Sequence, residues 1–592
     1  MKNFALLAIL VASVGFVVGA PRPDVDTAFP YTGPAVPIAD WVDQTINGNG
    51  KGFPRLTKPP AVEPKSKRPT NNINVITTSY IPSGINIHFQ TPFGIGRSAP
   101  EVKFGRSAHE LNQKAVGTTH TYDRTPPCAL VSVTQCSQFF HEVQLKNLHP
   151  DTEYFYQIPG GNGTTESQVL SFRTALSPGQ HGQFTVAIIN DMGFTNAKGT
   201  HKFLTAGAES GEFSFAWHGG DISYADDWYS GILPCESDWP VCYNGTSSEL
   251  PTPDGTIDNP DYLIPLPKGE IADQGGPLGG DISVVYESNW DLWSQFMMPI
   301  FSKIPYMVNP GNHEASCAEF DGPNNELTAL LNEDILNGTA PKSELTYYSC
   351  PPSQRNFTAY QHRFRMPGEE SGGVSNFWYS GLAHFVSFDG ETDYVNSPEF
   401  PFVADLSGNE THPQENETFP TDSGPFGYIN GSFRMNLAAV DRAKTPFVFA
   451  MSHRPMYSTG TASYQTHMRT AFEDLFLEAG VDAYLSGHIH WYERLKPLGR
   501  NGTIDTSAIV NENTYKTNKN VSMVHIVNGQ AGNIESHSTL DGEQILNITA
   551  VLNTVNYGFT KLTVFNSTTA KFEFVAASNG SIIDTVHLIK GR

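Results

Sequence analysis

FTVAIIND (residues 184–191) is a run of apolar and β-branched residues that leads directly into a carboxylate. A short run of this kind predicts a buried strand. Four further runs lead in the same way into Asp, Asn or His: FSFAWHGGD (213–221), IPYMVNPGNHE (304–314), FVFAMSH (447–453) and VDAYLSGHIH (481–490). Polar side chains at strand ends meet in one crevice, which is where open α/β folds keep their chemistry. We therefore predict an α/β fold with one site at these strand ends.

The residue types at the five strand ends are those that bind metal ions. The segments read Asn190-Asp191-Met192-Gly193, Gly220-Asp221-Ile222-Ser223-Tyr224, Gly311-Asn312-His313-Glu314, Ala450-Met451-Ser452-His453 and Gly487-His488-Ile489-His490. Read alone, a Gly-Asp is most often a turn, and an H-x-H pair is most often incidental. The prediction rests on all five occurring together and in order. Carboxylate, phenolate, amide and imidazole donors in this combination indicate a two-metal site.

The order and content of these segments resemble the binuclear metallophosphoesterases. Tyr224, three residues after Asp221, is typical of purple acid phosphatases of the large plant and fungal type. The resemblance covers most of the chain and includes GHIHWYER (487–494) and NGQAGN (528–533). It implies seven metal ligands: Asp191, Tyr224 and His490 on one ion, Asn312, His453 and His488 on the other, and Asp221 bridging the two.

The resemblance also implies the metals and the reaction. Anionic oxygens from Asp and Tyr suit Fe(III), whereas two imidazoles and an amide suit a divalent ion, Zn, Fe or Mn. Such a pair would clamp a phosphate monoester and attack it with metal-bound hydroxide at acid pH. Broad specificity for small phosphate esters is expected, with phytate among the candidates. The ions keep the site positive, so an anionic ester can dock although the formal charge of the chain is −23.

Proton transfer to the leaving group is expected of His313, with Glu314 orienting its ring. The alternative for His313 is a packing or capping role. Further substrate contacts are predicted at His218, Arg454, Tyr457 and His467. A buried partner is the alternative for His218, and a solvent-facing side chain for His467. Plant relatives carry a histidine pair where this chain reads TASY (461–464), which leaves the second phosphate-contacting histidine open.

The 592 residues are too many for one core, and we expect several parts. They are a signal peptide (1–20), an extended segment (21–70), a fibronectin-III-like β-sandwich (71–178) and a metallophosphoesterase domain with two sheets flanked by helices (179–592). The sandwich is expected to contain the strands NVITTSY, INIHFQ, EVKFG, FFHEVQL, EYFYQI and VLSFRT. In the larger domain, residues 289–301 and 467–479 show helical spacing of apolar residues, and Gly480 is expected to end the second helix.

The first residues predict secretion. Lys2, the apolar run 4–18 and the small residues 18–20 form a secretory signal that is too short for a membrane span. We expect an extracellular mature chain with no membrane partner, and the acidic charge argues against nucleic acid. Whether the chain forms a homodimer is left open.

Cysteines and sequons agree with secretion. The six cysteines fall into the nearest-neighbour pairs Cys128/Cys136, Cys235/Cys242 and Cys317/Cys350, although other connectivities are open. Twelve N-x-S/T sequons predict glycosylation at Asn162, Asn244, Asn337, Asn356, Asn409, Asn416, Asn430, Asn501, Asn520, Asn547, Asn566 and Asn579.

Two other functions compete with the monoesterase. One is a phosphodiesterase or nucleotide pyrophosphatase on the same metal scaffold, and Tyr224 weighs against it because a phenolate favours a ferric site. The other is a secreted glycoprotein that keeps its metals without turnover. The complete ligand set and the presence of His313 count against that second alternative.

Overall fold

The structure is a computed structural model of the chain. It describes residues 71–92, 94–95, 99–122, 137–161, 164–193, 196–226, 249–252, 255–258, 283–317, 354, 357–367, 376–391, 434–533, 535, 537–540, 542 and 544–590. The expected signal peptide and the extended segment lie outside these residues. Within the described ranges, none of the helices combines the length and the apolar character needed to cross a bilayer.

Two four-stranded antiparallel sheets form the N-terminal β-sandwich. Its strands are β1 (Val75–Ile81), β2 (Gly84–Thr91), β3 (Glu101–Gly105), β4 (Gln113–Val116), β5 (Thr118–His120), β6 (Phe139–Lys146), β7 (Glu153–Gln157) and β8 (Leu170–Arg173). They pair in the orders β1-β2-β6-β5 and β4-β3-β7-β8. The six predicted strands are confirmed. Strands β4 and β5 were not predicted, because their short segments QKAV and TTH are polar and mostly exposed and so lack an apolar alternation.

The remaining strands build two mixed sheets and two hairpins. They are β9 (Phe184–Ile189), β10 (Phe215–Gly219), β11 (Glu249–Thr252), β12 (Gly255–Asp258), β13 (Tyr306–Asn309), β14 (Asn376–Ser380), β15 (Ala383–Ser387), β16 (Phe447–Met451), β17 (Ala483–Ser486), β18 (Tyr492–Leu495), β19 (Leu498–Gly499), β20 (Thr503–Ile504), β21 (Ile509–Asn511), β22 (Thr514–Thr517), β23 (Val524–Asn528), β24 (Thr549–Asn553), β25 (Gly558–Asn566), β26 (Thr569–Ala576) and β27 (Ile582–Lys590). The first sheet has the order β13-β10-β9-β25-β26-β27-β22-β21, and the second has the order β14-β15-β16-β17-β23-β18-β24. Strands β11 and β12 form one hairpin, and β19 and β20 form the other.

Six α-helices are described. They are α1 (Lys198–Ser210), α2 (Ser283–Phe296), α3 (Met298–Phe301), α4 (Thr358–Arg363), α5 (Arg434–Ala438) and α6 (Ser463–Ala479), and 3₁₀ turns cover Asn312–Glu314, Arg500–Gly502 and Thr506–Ala508. The predicted helix 467–479 is confirmed and ends at Gly480 with a left-handed φ of 72°. The helix begins earlier than predicted, at Ser463. This start was not predicted because the first turn is polar and carries no apolar stripe. The predicted helix 289–301 is two helices, since Pro299 has no amide to continue the first.

The two mixed sheets pack face to face and share one apolar core. The rings of Phe449 on β16 and Phe572 on β26 lie 5.7 Å apart, and the indole nitrogen of Trp217 on β10 donates to Ser387 Oγ on β15 at 3.1 Å. In the first sheet β9, β10 and β13 run parallel, and in the second β15, β16, β17 and β23 do. All five strands predicted to precede the polar segments therefore belong to these parallel sets.

A buried ionic cluster joins the sandwich to helices of the larger domain. The Arg363 guanidinium on α4 lies 3.1 Å from a Glu287 carboxylate oxygen and 3.3 Å from one of Asp291, both on α2. From the sandwich side, the Tyr122 hydroxyl donates to Glu287 at 2.6 Å and accepts from Arg363. All four side chains are buried. The cluster therefore fixes helix α2 between the two domains.

We predict that Arg363→Met destabilises the protein by about 3–5 kcal/mol, because two buried carboxylates would lose their cation. The measurement is the free energy of unfolding from a guanidinium titration. The matched control is Lys303→Met, which removes an exposed ion pair with Glu209 and should cost less than about 1 kcal/mol. Equal effects of the two substitutions would contradict a special role for the buried cluster.

Candidate metal centre

The structure brings the seven predicted ligands together at the carboxyl ends of the parallel strands. One group of donors surrounds the Tyr224 hydroxyl, which lies 3.3 Å from Asp191 Oδ1 and 3.0 Å from His490 Nε2. The distance between His490 Nε2 and Asp191 Oδ1 is 3.3 Å. A phenol oxygen, a carboxylate and an imidazole thus point at one small volume.

A second group surrounds the side-chain oxygen of Asn312. Its Oδ1 atom lies 3.1 Å from His453 Nε2 and 3.0 Å from His488 Nδ1. The anionic and amide donors follow strands of the first sheet, whereas all three histidines follow strands of the second. The packing of the two sheets is therefore what assembles both groups.

Asp221 connects the two groups. Its Oδ2 atom lies 3.0 Å from His453 Nε2 and 3.5 Å from the Tyr224 hydroxyl. Two sets of ligand atoms, each within 4.8 Å of one another, are Asp221 with His453 and His488, and Asp191 with Asp221 and His490. A carboxylate shared by two such sets is what a bridging ligand between two metal ions requires, and the residues present fit such a pair.

Two of the imidazoles have defined partners. Because Gly219 offers only a carbonyl oxygen, His453 Nδ1 donates to it at 3.1 Å, and Nε2 faces Asp221 and Asn312. Burial lowers the pKa of His453, but the Asp221 and Asp191 carboxylates raise it to about 9, so the ring must release a proton before Nε2 can bind an ion. Hydrogen bonding of the far nitrogen orients a histidine ligand and fixes its tautomer. Burial and the Arg454 guanidinium hold the pKa of His488 well below its ordinary value, which keeps that ring neutral.

Four of the seven residues have left-handed backbone conformations. The φ angles are 54° at Asp191, 49° at Asp221, 51° at Tyr224 and 67° at His488. Non-glycine residues in this region store strain of about 1–3 kcal/mol each, and such strain clusters at functional sites. The tight turns aim each side chain back toward the strand ends.

Glu314 holds the turn that carries Asp221. Its carboxylate accepts hydrogen bonds of 2.8 Å from the amides of Asp221, Ile222 and Gly311. Burial and the Asp221 charge raise the pKa of Glu314 to about 8. The contacts of Glu314 are thus with the backbone beneath the ligands, and not the expected contact with the His313 ring.

Asp226 takes the position that sequence analysis gave to Glu314. Both of its carboxylate oxygens lie 3.0 Å from His313 Nδ1. The other ring nitrogen, Nε2, faces the ligand cluster, 3.9 Å from Asp221 Oδ2. Burial alone would lower the pKa of His313, but the carboxylates around it, Asp226 first, raise it well above its ordinary value. These carboxylates therefore favour the imidazolium form of the ring, with Nε2 directed at the site.

Arg454 lies at the edge of the site. Its Nε is 3.0 and 2.9 Å from the two Glu391 oxygens, its Nη1 is 3.0 Å from His488 Nε2, and it lies 5.0 Å from the centre of the Tyr464 ring. Tyr464 belongs to the TASY segment that replaces the histidine pair of plant relatives. A fixed guanidinium and an aromatic ring thus stand near the second group of ligands.

None of the other predicted substrate contacts has a side-chain hydrogen bond to a ligand side chain within the described residues. His218 is fully buried, its Nδ1 pairs with the Tyr306 hydroxyl at 2.8 Å, and burial lowers its pKa to about 3, so it is a core residue. Tyr457 turns to helix α6, where its hydroxyl donates to Glu473 at 2.5 Å. His467 is partly exposed on the same helix, and no contact within the described ranges joins it to the ligands.

Three carboxylates that were not predicted also touch the site: Asp226, Glu391 and Glu535. For Glu391 a signal was present, because HFVSFDGE (384–391) is a further apolar run that ends in carboxylates. Asp226 follows Tyr224 by two residues, but only the turn geometry shows that it reaches His313. Glu535 follows the NGQAGN segment and lies 3.6 Å from His313 Nε2. No local pattern distinguishes it from a surface carboxylate.

Features expected of a secreted chain are partly visible. Cys317 is disulfide-bonded, whereas Cys350 and the other four cysteines lie outside the described residues. The five sequon asparagines that the structure describes are all exposed: Asn501, Asn520, Asn547, Asn566 and Asn579. The remaining seven also lie outside the described residues.

We predict that Gly487→Ala lowers metal affinity by about 10–100-fold, the range typical of residues that position metal ligands. A Cβ atom at this position would lie 2.1 Å from Asp191 Oδ2 and would displace that carboxylate. Metal content after dialysis at graded concentrations of a chelator is the measurement. Gly161→Ala is the control, because no atom lies within 4 Å of its Cβ. Retained metal in Gly487→Ala would show that Asp191 can move without loss.

Three family models and a solved structure match this chain. Residues 70–174 match the family "Purple acid Phosphatase, N-terminal domain", residues 256–492 match "Calcineurin-like phosphoesterase", and residues 522–585 match "Iron/zinc purple acid phosphatase-like protein C". The fold resembles a purple acid phosphatase from yellow lupin seeds, with a TM-score of 0.59 and 20% identity over 88% of this chain and 75% of that one.

Three of the sequence relatives are named as acid phosphatases. An acid phosphatase of Aspergillus ficuum is 63% identical and covers 100% of this chain and 98% of its own length. A phosphate-repressible acid phosphatase of Aspergillus niger is 35% identical over 81% of this chain and 83% of its own length. Purple acid phosphatase 15 of Arabidopsis thaliana is 28% identical over 66% of this chain and 56% of its own length. The chain belongs to the purple acid phosphatase family, whose members depend on a binuclear metal centre.

Proposed function

We propose that the seven converging side chains hold two metal ions, and that this acid phosphatase hydrolyses phosphate monoesters beside them. One observation supports this most: Asp221 belongs to both sets of closely spaced ligand atoms. A carboxylate shared by two ligand sets can hold two ions close enough to clamp one phosphate. Small phosphate esters are the substrates.

The donor types support a different ion on each side of Asp221. Asp191 and Tyr224 supply anionic oxygens, which favour Fe(III), and His490 completes that side. Asn312, His453 and His488 supply neutral donors, which favour Zn, Fe or Mn in the divalent state. When bound, the two ions supply Lewis acidity toward the phosphoryl oxygens and acidify a water molecule.

His313 is the proposed proton donor to the leaving group. Asp226 fixes the ring at Nδ1, so the N–H at Nε2 is the one left to face substrate. Because the carboxylates around the ring raise the pKa of His313, it carries its proton when an ester arrives. A proton at this atom neutralises the alkoxide that departs, which is general acid catalysis.

Arg454 is the proposed second contact to the phosphate. Its Nε donates to both Glu391 oxygens, which fixes the guanidinium, and a planar guanidinium suits phosphate oxygens. Its Nη1 lies 3.0 Å from His488 Nε2, which puts this charge beside the second group of ligands. Arg454 would therefore supply the contact for which plant relatives use a histidine.

Secretion is also proposed. The basic and apolar residues at 1–20 support it, as do the disulfide at Cys317 and the exposure of the described sequon asparagines.

The reaction is tested with p-nitrophenyl phosphate and its bis-ester, each assayed from acid to neutral pH. The proposed function requires preferred turnover of the monoester, with the higher rate on the acid side. A preference for the bis-ester would favour the diesterase instead. Absence of turnover for both would favour a metal-binding protein without catalysis.

We predict that His313→Ala lowers kcat by about 10²–10⁴-fold for an alkyl phosphate such as glycerol phosphate, because its alkoxide needs a proton. Turnover of p-nitrophenyl phosphate should fall far less, since nitrophenolate departs without one. The measurement is the ratio of the two kcat values in variant and wild type. His467→Ala, a partly exposed histidine of the same domain, serves as control and should leave the ratio unchanged. Equal losses on both substrates for His313→Ala would contradict the proton-donor role.

We predict that Tyr224→Phe abolishes the visible absorption of the iron-loaded protein, because the colour requires a phenolate bonded to Fe(III). The measurement is the visible spectrum, together with the iron content by elemental analysis. Tyr457→Phe is the matched control and should keep the colour, since the Tyr457 hydroxyl donates a hydrogen bond to Glu473. A Tyr224→Phe protein that stays purple would refute this ligand.

A further inference from the structure

Glu535 places a carboxylate where the proton donor faces the site. One of its oxygens lies 3.6 Å from His313 Nε2, and the other lies 3.7 Å from His490 Nε2. The side chain is 17% exposed, so solvent reaches this carboxylate beside the ligand cluster. Within the described residues, no Lys or Arg lies at ion-pair distance from it.

The segment that carries Glu535 is tied to the ligand loop. The amide of His490 donates to Ser538 Oγ at 2.9 Å, and the amide of Ser538 donates back to the His490 carbonyl at 3.0 Å. The ring of His537 packs against Tyr557 with 4.2 Å between centres. These contacts give the carboxylate a defined position relative to His490.

The position of Glu535 determines what it can touch. A proton passes from His313 Nε2 only to an oxygen within about 3 Å of it. Since Glu535 lies 3.6 Å from the same nitrogen, a leaving group that takes this proton comes within reach of the carboxylate. A carboxylate accepts hydrogen bonds from hydroxyl and ammonium groups, and it repels further negative charge.

We propose that Glu535 determines specificity for the leaving group. It selects alcohols that carry hydroxyl or ammonium donors next to the ester, as in phosphorylated amino alcohols and polyols. It disfavours leaving groups that carry further anionic charge, which places phytate among the poorer substrates. The inference rests on the proposed role of His313, because that role locates the leaving group.

The test compares Glu535→Gln with Glu512→Gln, which makes the same change of net charge at an exposed residue. The substrates are phosphoethanolamine, phosphoglycolate and p-nitrophenyl phosphate, whose leaving groups are cationic, anionic and without formal charge before cleavage. In Glu535→Gln we expect kcat/KM to fall about tenfold for phosphoethanolamine and to rise about tenfold for phosphoglycolate. Turnover of p-nitrophenyl phosphate should change less than about threefold, and Glu512→Gln should match wild type throughout.

Metal content of both variants by elemental analysis is the second readout. Equal metal in Glu535→Gln and wild type is expected, and loss of metal would overturn the proposal by making Glu535 a ligand. Unchanged substrate ratios would also overturn it, as would an equal loss on all three substrates. Failure of the proposed function would look different, because the wild-type protein itself would then hydrolyse none of the monoesters.

Discussion

The burial of Asp191 and Asp221 is the constraint on which the rest of the site depends. Two carboxylates withdrawn from water need opposite charge or hydrogen-bond donors close by, because an unpaired buried charge is expensive. Here the first sheet supplies the acids and the second supplies the imidazoles of His453, His488 and His490. Neither sheet can form a satisfactory site alone. The sheet-on-sheet core and the ligand cluster are consequently one assembly, and a change that separates the sheets would leave the acids uncompensated.

Much of the fold and of the candidate site could be predicted because both depend on local sequence patterns. Each apolar strand ends in a donor residue, and parallel strands bring their ends to one edge. The directions of individual side chains could not be predicted in this way, because they depend on turns and on the surface that packs against them. His218 lies on a strand of the site but faces the core, and Tyr457 follows His453 closely but turns to Glu473. Sequence spacing alone could not separate these from Arg454.

The partners of the carboxylates around the ligands could not be predicted from sequence spacing either. Glu314 was expected at His313, yet it binds backbone amides, and Asp226 occupies that place. In a 3₁₀ turn consecutive side chains point in different directions, so neighbours in sequence need not be partners in space. Glu535 comes from a segment more than two hundred residues beyond His313, and only the tertiary fold brings it near. Donor residues at strand ends are therefore far easier to predict from the sequence than the side chains that surround them.

The hydrogen bonds of Glu314 and Asp191 have a practical consequence for the chemistry of the protein. Three amides of the Asp221 and Gly311 turns are held by Glu314, and the amide of His488 is held by Asp191 at 3.0 Å. These links join protein to protein and need no ion to complete them. The cage should therefore keep its shape when stripped. Either ion could then be replaced by another isotope or by a spectroscopically active metal. Equilibrating the stripped protein with the new ion would suffice, without unfolding and refolding.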